Sequence, residues 1–284
     1  MTSTEIPYNV NEYALEDTHG LWGRTCRGYV LRRHSRAELM PILERSVEQA
    51  QKIRREGLSK LTASQVLATI KADYDIDLTS SFLCDQQDLI GLIGEILAED
   101  LFQSTSVTCT VVKWKTSGTS KSKGIDLLCR VTSSHPPDVL LLVESKHVHE
   151  EIRGRPSSFP SILADKFERG LSEFEEERTL FNLANVIAKL DRSIAIDRSI
   201  NSNTREKQAL REFIAERLSD QQYNLAVVIS VDDRFSNVKL AQEATHLVHE
   251  PTWIAEHTAS LFVVAFFQLE DMTDRLCGRY VTRS

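Results

Sequence analysis

Asp126, Glu144 and Lys146 are the residues whose types and spacing could do chemistry in this chain. They belong to a stretch that reads Ile-Asp-Leu-Leu-Cys-Arg-Val, then Thr-Ser-Ser-His-Pro-Pro, then Asp-Val-Leu-Leu-Leu-Val-Glu-Ser-Lys, over 125–146. Two apolar runs around a turn rich in Ser and Pro predict a β-hairpin. Partners in an antiparallel pair have numbers that sum to a constant. A turn centred on His135 therefore sets Asp126 opposite Glu144, since each lies nine residues from it. Alternation along the strand puts Glu144 and Lys146 on one face and Ser145 on the other. Two carboxylates and an ammonium gather at one end of the hairpin.

The second strand is apolar on both faces from Val139 to Val143, as a central, covered strand would be. Charges at the end of such a strand are costly unless paired or bound to metal. A plain ion network, with Lys146 neutralising both acids, balances the charge. It leaves two facing carboxylates that repel unless a cation lies between them. Two hard oxygen ligands with open positions suit Mg²⁺, which keeps several waters.

An Asp followed by Glu-x-Lys on the next strand resembles the PD-(D/E)XK nucleases. The chain has Ile125 where the family name carries Pro, a position without chemistry. The resemblance implies that Asp126, Glu144 and the backbone carbonyl of Ser145 hold Mg²⁺, with Mn²⁺ able to substitute. Lys146 would position or help deprotonate a water and stabilise developing charge.

The elements that must position these residues follow from periodicity. Asp85 to Phe102 is predicted as a helix whose apolar band is wide enough for burial on most sides. Glu95 follows Gly94 in its middle, and Gly91 would allow close approach to a sheet. The Gly94-Glu95-Ile96-Leu97 segment resembles the family element in which a helical Glu faces the metal. Glu95 then binds a second metal or orients water; alternatively it lies on an exposed helix face. From residue 85 the order is helix, three strands, helices, strand, helix, strand. That resembles the αβββαβ order of the PD-(D/E)XK (restriction-endonuclease-like) core with additions, and implies an α/β fold with a mixed central sheet flanked by helices. Residues 1–84 form a mainly helical N-terminal region, with helices from Ser35 to Glu56 and Thr62 to Lys71 and a loop from Glu12 to Asp17. Residues 85–284 form the nuclease-like domain.

Net charge is −7 over 284 residues, which argues against an avid, stand-alone, non-specific nucleic-acid binder. Local charge differs. Lys113, Lys115, Lys121, Lys123 and Arg130 surround Asp126, and the four lysines are candidates for steering a phosphate backbone. His147 and His149 are read as solvated or phosphate-facing rather than as zinc ligands, because no third partner stands at motif spacing. Glu173 and Glu175 to Glu177 read as the solvated end of a helix from Pro160. The five cysteines are scattered without a C-x-x-C pair. No apolar run approaches the roughly 18 residues of a spanning helix, and no secretory signal is visible. A cytoplasmic protein is expected, with no membrane partner.

The combination of Gly94-Glu95, Lys123-Gly124-x-Asp126 and Glu144-x-Lys146 followed by several helices resembles the HamA family. HamA proteins are the nuclease subunits of Hachiman anti-phage defence systems and work beside a helicase subunit, HamB. The resemblance implies a DNA substrate and a hetero-complex with a HamB-like helicase. It also fits the acidic balance, since a partner that delivers DNA removes the need for strong intrinsic affinity. A solitary restriction or repair nuclease, or a non-catalytic nucleic-acid-binding subunit that keeps the fold, are the other readings.

Overall fold

The computed structural model describes residues 13–22, 26–33, 43, 86–103, 109–113, 126–131, 138–149, 156–177, 187, 191, 194–195, 198, 204–220, 222–234, 243–244, 246–249, 259–266 and 268–280. The hairpin is present as strands β4 (Leu127–Val131) and β5 (Val139–His147). Its register runs from Leu127 opposite Val143 to Val131 opposite Val139, the pairing that a turn centred on His135 dictates.

β5 continues the sheet by pairing in parallel with β6 (Tyr223–Asp232), which pairs in parallel with β7 (Ala259–Phe266). Their near-continuous apolar sequences are what strands covered on both faces require. Every residue of β7 is buried. On the other side of the hairpin, β3 (Cys109–Lys113) pairs antiparallel with β4.

Helices cover both faces. α1 (Gln86–Gln103) and α4 (Leu269–Tyr280) bury Leu89, Ile93, Leu97, Leu269 and Leu276 against Leu141, Val143, Val228 and Phe262. α2 (Phe159–Glu177) and α3 (Arg205–Ser219) cover the opposite face. Phe159, Leu163, Phe167, Leu171 and Phe174 recur at helical spacing along α2 and pack on Leu140, Leu142, Val227 and Ile229. The result is a three-layer α/β arrangement around a mixed sheet.

The N-terminal region differs from its sequence reading. Residues expected as loop lie in β1 (Tyr13–Trp22), which pairs antiparallel with β2 (Cys26–Arg33). β2 in turn pairs in parallel with β7, so the seven-stranded sheet, ordered β1-β2-β7-β6-β5-β4-β3, takes strands from both sides of residue 84. Irregularities between Leu15 and Asp17 and between Asp17 and Gly20 break the two-residue alternation that would have announced β1. Of the helix expected at 35–56, Leu43 is described, helical and fully buried. The helix expected at 62–71 lies outside the described residues. The C-terminal helix begins at Leu269, before the expected Met272, because Asp232 Oδ2 accepts the Glu270 N–H at 3.0 Å. No helix among the described residues is long and apolar enough to cross a membrane.

Candidate metal and catalytic site

Asp126 immediately precedes β4 and is 2% exposed. Its Oδ2 accepts two hydrogen bonds from Ser145, one from the backbone N–H at 2.8 Å and one from the hydroxyl at 2.7 Å. One step beyond the Leu127–Val143 pair, this contact closes the open end of the hairpin and holds Asp126 across from the end of β5.

Glu144 and Lys146 alternate with Val143 and Ser145 along β5 and share the face of Leu140 and Leu142, the face covered by α2. Glu144 is 1% exposed. Lys146 Nζ lies 3.5 Å from Glu144 Oε2 and 2.7 Å from Glu173 Oε2 on α2. Burial holds the Glu144 carboxyl well above its ordinary value of 4.5, and the negative charge of Asp126 adds to the effect. Lys146 works against both, while Glu173 reinforces them. Burial also pulls on the Lys146 ammonium, but Glu144 and Glu173 outweigh it, so Lys146 titrates above its ordinary value and is charged. Glu144 Oε1 is buried without a hydrogen-bond partner among the described residues.

Two glycines set the helices against this end of the sheet. A Cβ on Gly94 would lie 3.2 Å from the Cβ of His147, so α1 touches β5 beside Lys146. A Cβ on Gly170 would lie 2.8 Å from a Val227 methyl, so α2 is seated directly on β6. Gly91, which the sequence nominated for close approach, has nothing within 4 Å of such an atom. Glu95 follows Gly94 at the point of contact and is 5% exposed, which overturns its reading as an exposed helix-face residue.

Glu173 is the residue at the candidate site that the sequence missed, pairing with Lys146 at 2.7 Å. It looks like one more acid in a solvated helix end, yet it lies one turn beyond Gly170 and beside the core residue Phe174. The glycine in an otherwise helical, apolar-striped segment was the available signal.

His147 and His149 are both buried, at 6% exposure, rather than solvated. His147 Nδ1 lies 2.9 Å from the Ser230 hydroxyl and Nε2 lies 3.1 Å from that of Thr273. Burial, with His149 stacked beside it, lowers the His147 imidazole from 6.5 to about 3, so it is neutral. It ties β5 to β6 and α4 and is a structural histidine. Arg130 also leaves the proposed basic patch. It pairs with Asp138 at 2.7 Å and stacks over Phe213, whose ring centre is 4.8 Å away. Lys113 ends β3 with its backbone opposite Leu127, next to Asp126. Lys115, Lys121 and Lys123 lie outside the described residues.

The donor set fits a small hard cation. Two buried carboxylates sit at one end of the sheet, and a buried oxygen of Glu144 lacks a hydrogen-bond donor among the described residues. Among those residues, no three His, Cys, Asp or Glu side chains converge into a cage. Ions that retain several waters suit such an incomplete set, as Mg²⁺ does and zinc in a structural site does not. No family model, curated protein or solved structure matches the chain.

Proposed function

We propose that this chain is a Mg²⁺-dependent DNA nuclease of the PD-(D/E)XK type, HamA-like in layout and acting with a helicase partner in anti-phage defence. The observation that carries the reading is the meeting of Asp126, Glu144 and Lys146 at the end of a buried strand. There, Glu144 is held above its ordinary pKa and one of its oxygens lacks a hydrogen-bond partner among the described residues. A site of acids alone would suit ion storage, and a site of acids neutralised by Lys146 alone would suit a fold's interior. The two together, with the ammonium 3.5 Å from the buried carboxylate, suit a reaction in which negative charge grows on a phosphate.

Asp126 and Glu144, with the carbonyl of Ser145, would hold Mg²⁺ or Mn²⁺, and Glu95 on the adjoining helix would support a second ion or a water. A bound divalent cation there lowers the pKa of a water and neutralises charge on the scissile phosphate. The chain's own residues do the rest. Ser145 fixes the Asp126 carboxylate by two hydrogen bonds, so its orientation survives the approach of a charged substrate. Lys146, charged at neutral pH, offers its ammonium to the attacking water or to a phosphate oxygen. Helix α2 walls one side of the site and half-exposed Glu173 marks where it opens to solvent. Lys113, Lys115, Lys121 and Lys123 would guide the DNA backbone. The order α1, β3, β4, β5, α2, α3 and β6 supports the reading, being the αβββαβ order with one added helix before β6.

The test is cleavage of DNA with Mg²⁺, with and without a candidate helicase partner, by wild type, Glu144→Ala and Lys146→Ala proteins of equal helical content. Loss of cleavage in both variants is expected. Retained Mg²⁺-dependent cleavage by folded Glu144→Ala would falsify the assignment.

A further inference from the structure

The ammonium of Lys146 sits between two acids. Nζ is 2.7 Å from Glu173 on α2 and 3.5 Å from Glu144 on its own strand. The shorter contact therefore goes to an acid whose side chain is 48% exposed, the longer one to an acid at 1%. Attraction strengthens as the local dielectric falls, so an ionised Glu144 would draw the ammonium more strongly than Glu173 does. Helix α2 imposes the other outcome. Gly170 seats it on Val227, and Glu173 follows one turn later, level with the Lys146 side chain.

We infer that Glu173 is a positioning residue that holds Lys146 off Glu144 and so keeps the Glu144 carboxylate open to a divalent cation. This rests on the metal-dependent reading of the site. Without Glu173, Lys146 keeps its contact with Glu144, with Asp126 also nearby, and the ammonium closes on Glu144 as a built-in counter-ion. An incoming cation must then displace Lys146 from a buried pair, where breaking a contact is expensive. Ammonium and cation compete for one carboxylate, and Glu173 biases the competition toward the cation. Glu173 Oε2 contacts the ammonium itself at 2.7 Å, and it is through Lys146, not as a ligand, that it would act.

A double-mutant cycle isolates that route. MnCl₂ is titrated calorimetrically into wild type, Glu173→Gln, Lys146→Met and the double variant, with metal-free melting curves checking that each is folded. Glu173→Gln should raise the Kd for Mn²⁺ roughly tenfold, Lys146→Met should lower it, and the double variant should match Lys146→Met. Wild-type affinity in Glu173→Gln overturns the inference. So does an equal loss with and without Lys146, which would mean that the charge of Glu173 acts on the cation directly. A wild type that takes up no Mn²⁺ sinks the metal-dependent reading and this inference with it. A wild type that binds, with a flat cycle, sinks the role of Glu173 alone.

Discussion

Asp126 and Ser145 are joined twice, the carboxylate Oδ2 accepting the backbone N–H of Ser145 at 2.8 Å and its hydroxyl at 2.7 Å. Hydrogen bonds to an ionised acceptor are the stronger kind, and two of them from one residue fix the orientation of the acid. They hold Asp126 at the mouth of the hairpin, facing Glu144, whose carboxyl it pushes upward. The fold thus forces two like charges together and stabilises one of them by local donors.

Asp126→Asn keeps an oxygen for both Ser145 donors while removing the repulsion. The metal-free variant should melt higher, by about 1 kcal/mol or roughly 2 °C. Stabilisation by Mn²⁺ should vanish, because binding needs both charges. Paired melting curves with and without Mn²⁺ decide it. An unchanged Mn²⁺ shift in the variant would place the ion elsewhere.

Glu144 contributes a pH dependence of its own, opposite in sign to that of the buried, neutral His147. The folded-state pKa of Glu144 is raised, so between its ordinary value of 4.5 and that higher value the folded state holds a proton that the unfolded chain has lost. Stability from this group is therefore fully present below 4.5 and falls as pH rises through the window. A divalent cation must displace that proton, so its stabilising effect should grow with pH across the same window. Melting curves from about pH 5 to about pH 8 for wild type and Glu144→Gln test both slopes. The metal-free difference between the two proteins should shift in favour of Glu144→Gln as pH rises. A difference that stays flat would show that Glu144 titrates normally.

Much of this site is legible in the amino-acid sequence. The hairpin register follows from the turn alone, because numbers that sum to a constant leave little freedom once the turn is centred. The burial of β5 follows from its unbroken apolar run. What escapes is set by packing between distant segments. Glu173 has the sequence context of a surface acid, and only the seating of Gly170 on Val227 brings it to Lys146. His147 reads as polar and exposed until Ser230 and Thr273, from β6 and α4, satisfy both ring nitrogens. β1 and β2 likewise owe their place to β7, more than two hundred residues away in sequence, at about the far end of the chain.

The Gly170 contact makes a stability prediction of its own. An added Cβ would come within 2.8 Å of Val227 Cγ1 in a closely packed interface, so Gly170→Ala should destabilise by about 1–3 kcal/mol despite its better helix propensity. Val227→Ala removes the obstructing methyls at the cost of a cavity. The double variant should therefore be more stable than the sum of the two single changes implies. Urea denaturation of the four proteins measures this. Additive effects would show that α2 and β6 are not in the contact described.

A net charge of −7 opposes long-range attraction to phosphates, and Arg130, already paired with Asp138, adds little to the lysines between 113 and 123 in the sequence. The isolated chain should bind duplex DNA weakly at physiological salt, with a partner governing activity. Replacing Lys121 and Lys123 with Ala should weaken binding alike for all sequences. It should also flatten the salt dependence by at most about two units of log–log slope, one for each lost phosphate contact. Binding isotherms over a salt series, with and without a candidate helicase, supply both numbers. Tight binding by the lone chain, or a wild-type slope in the double variant, would defeat the steering argument. A self-sufficient nuclease would then be the better reading of the same candidate site, since nothing about Asp126, Glu144 or Lys146 depends on how the DNA arrives.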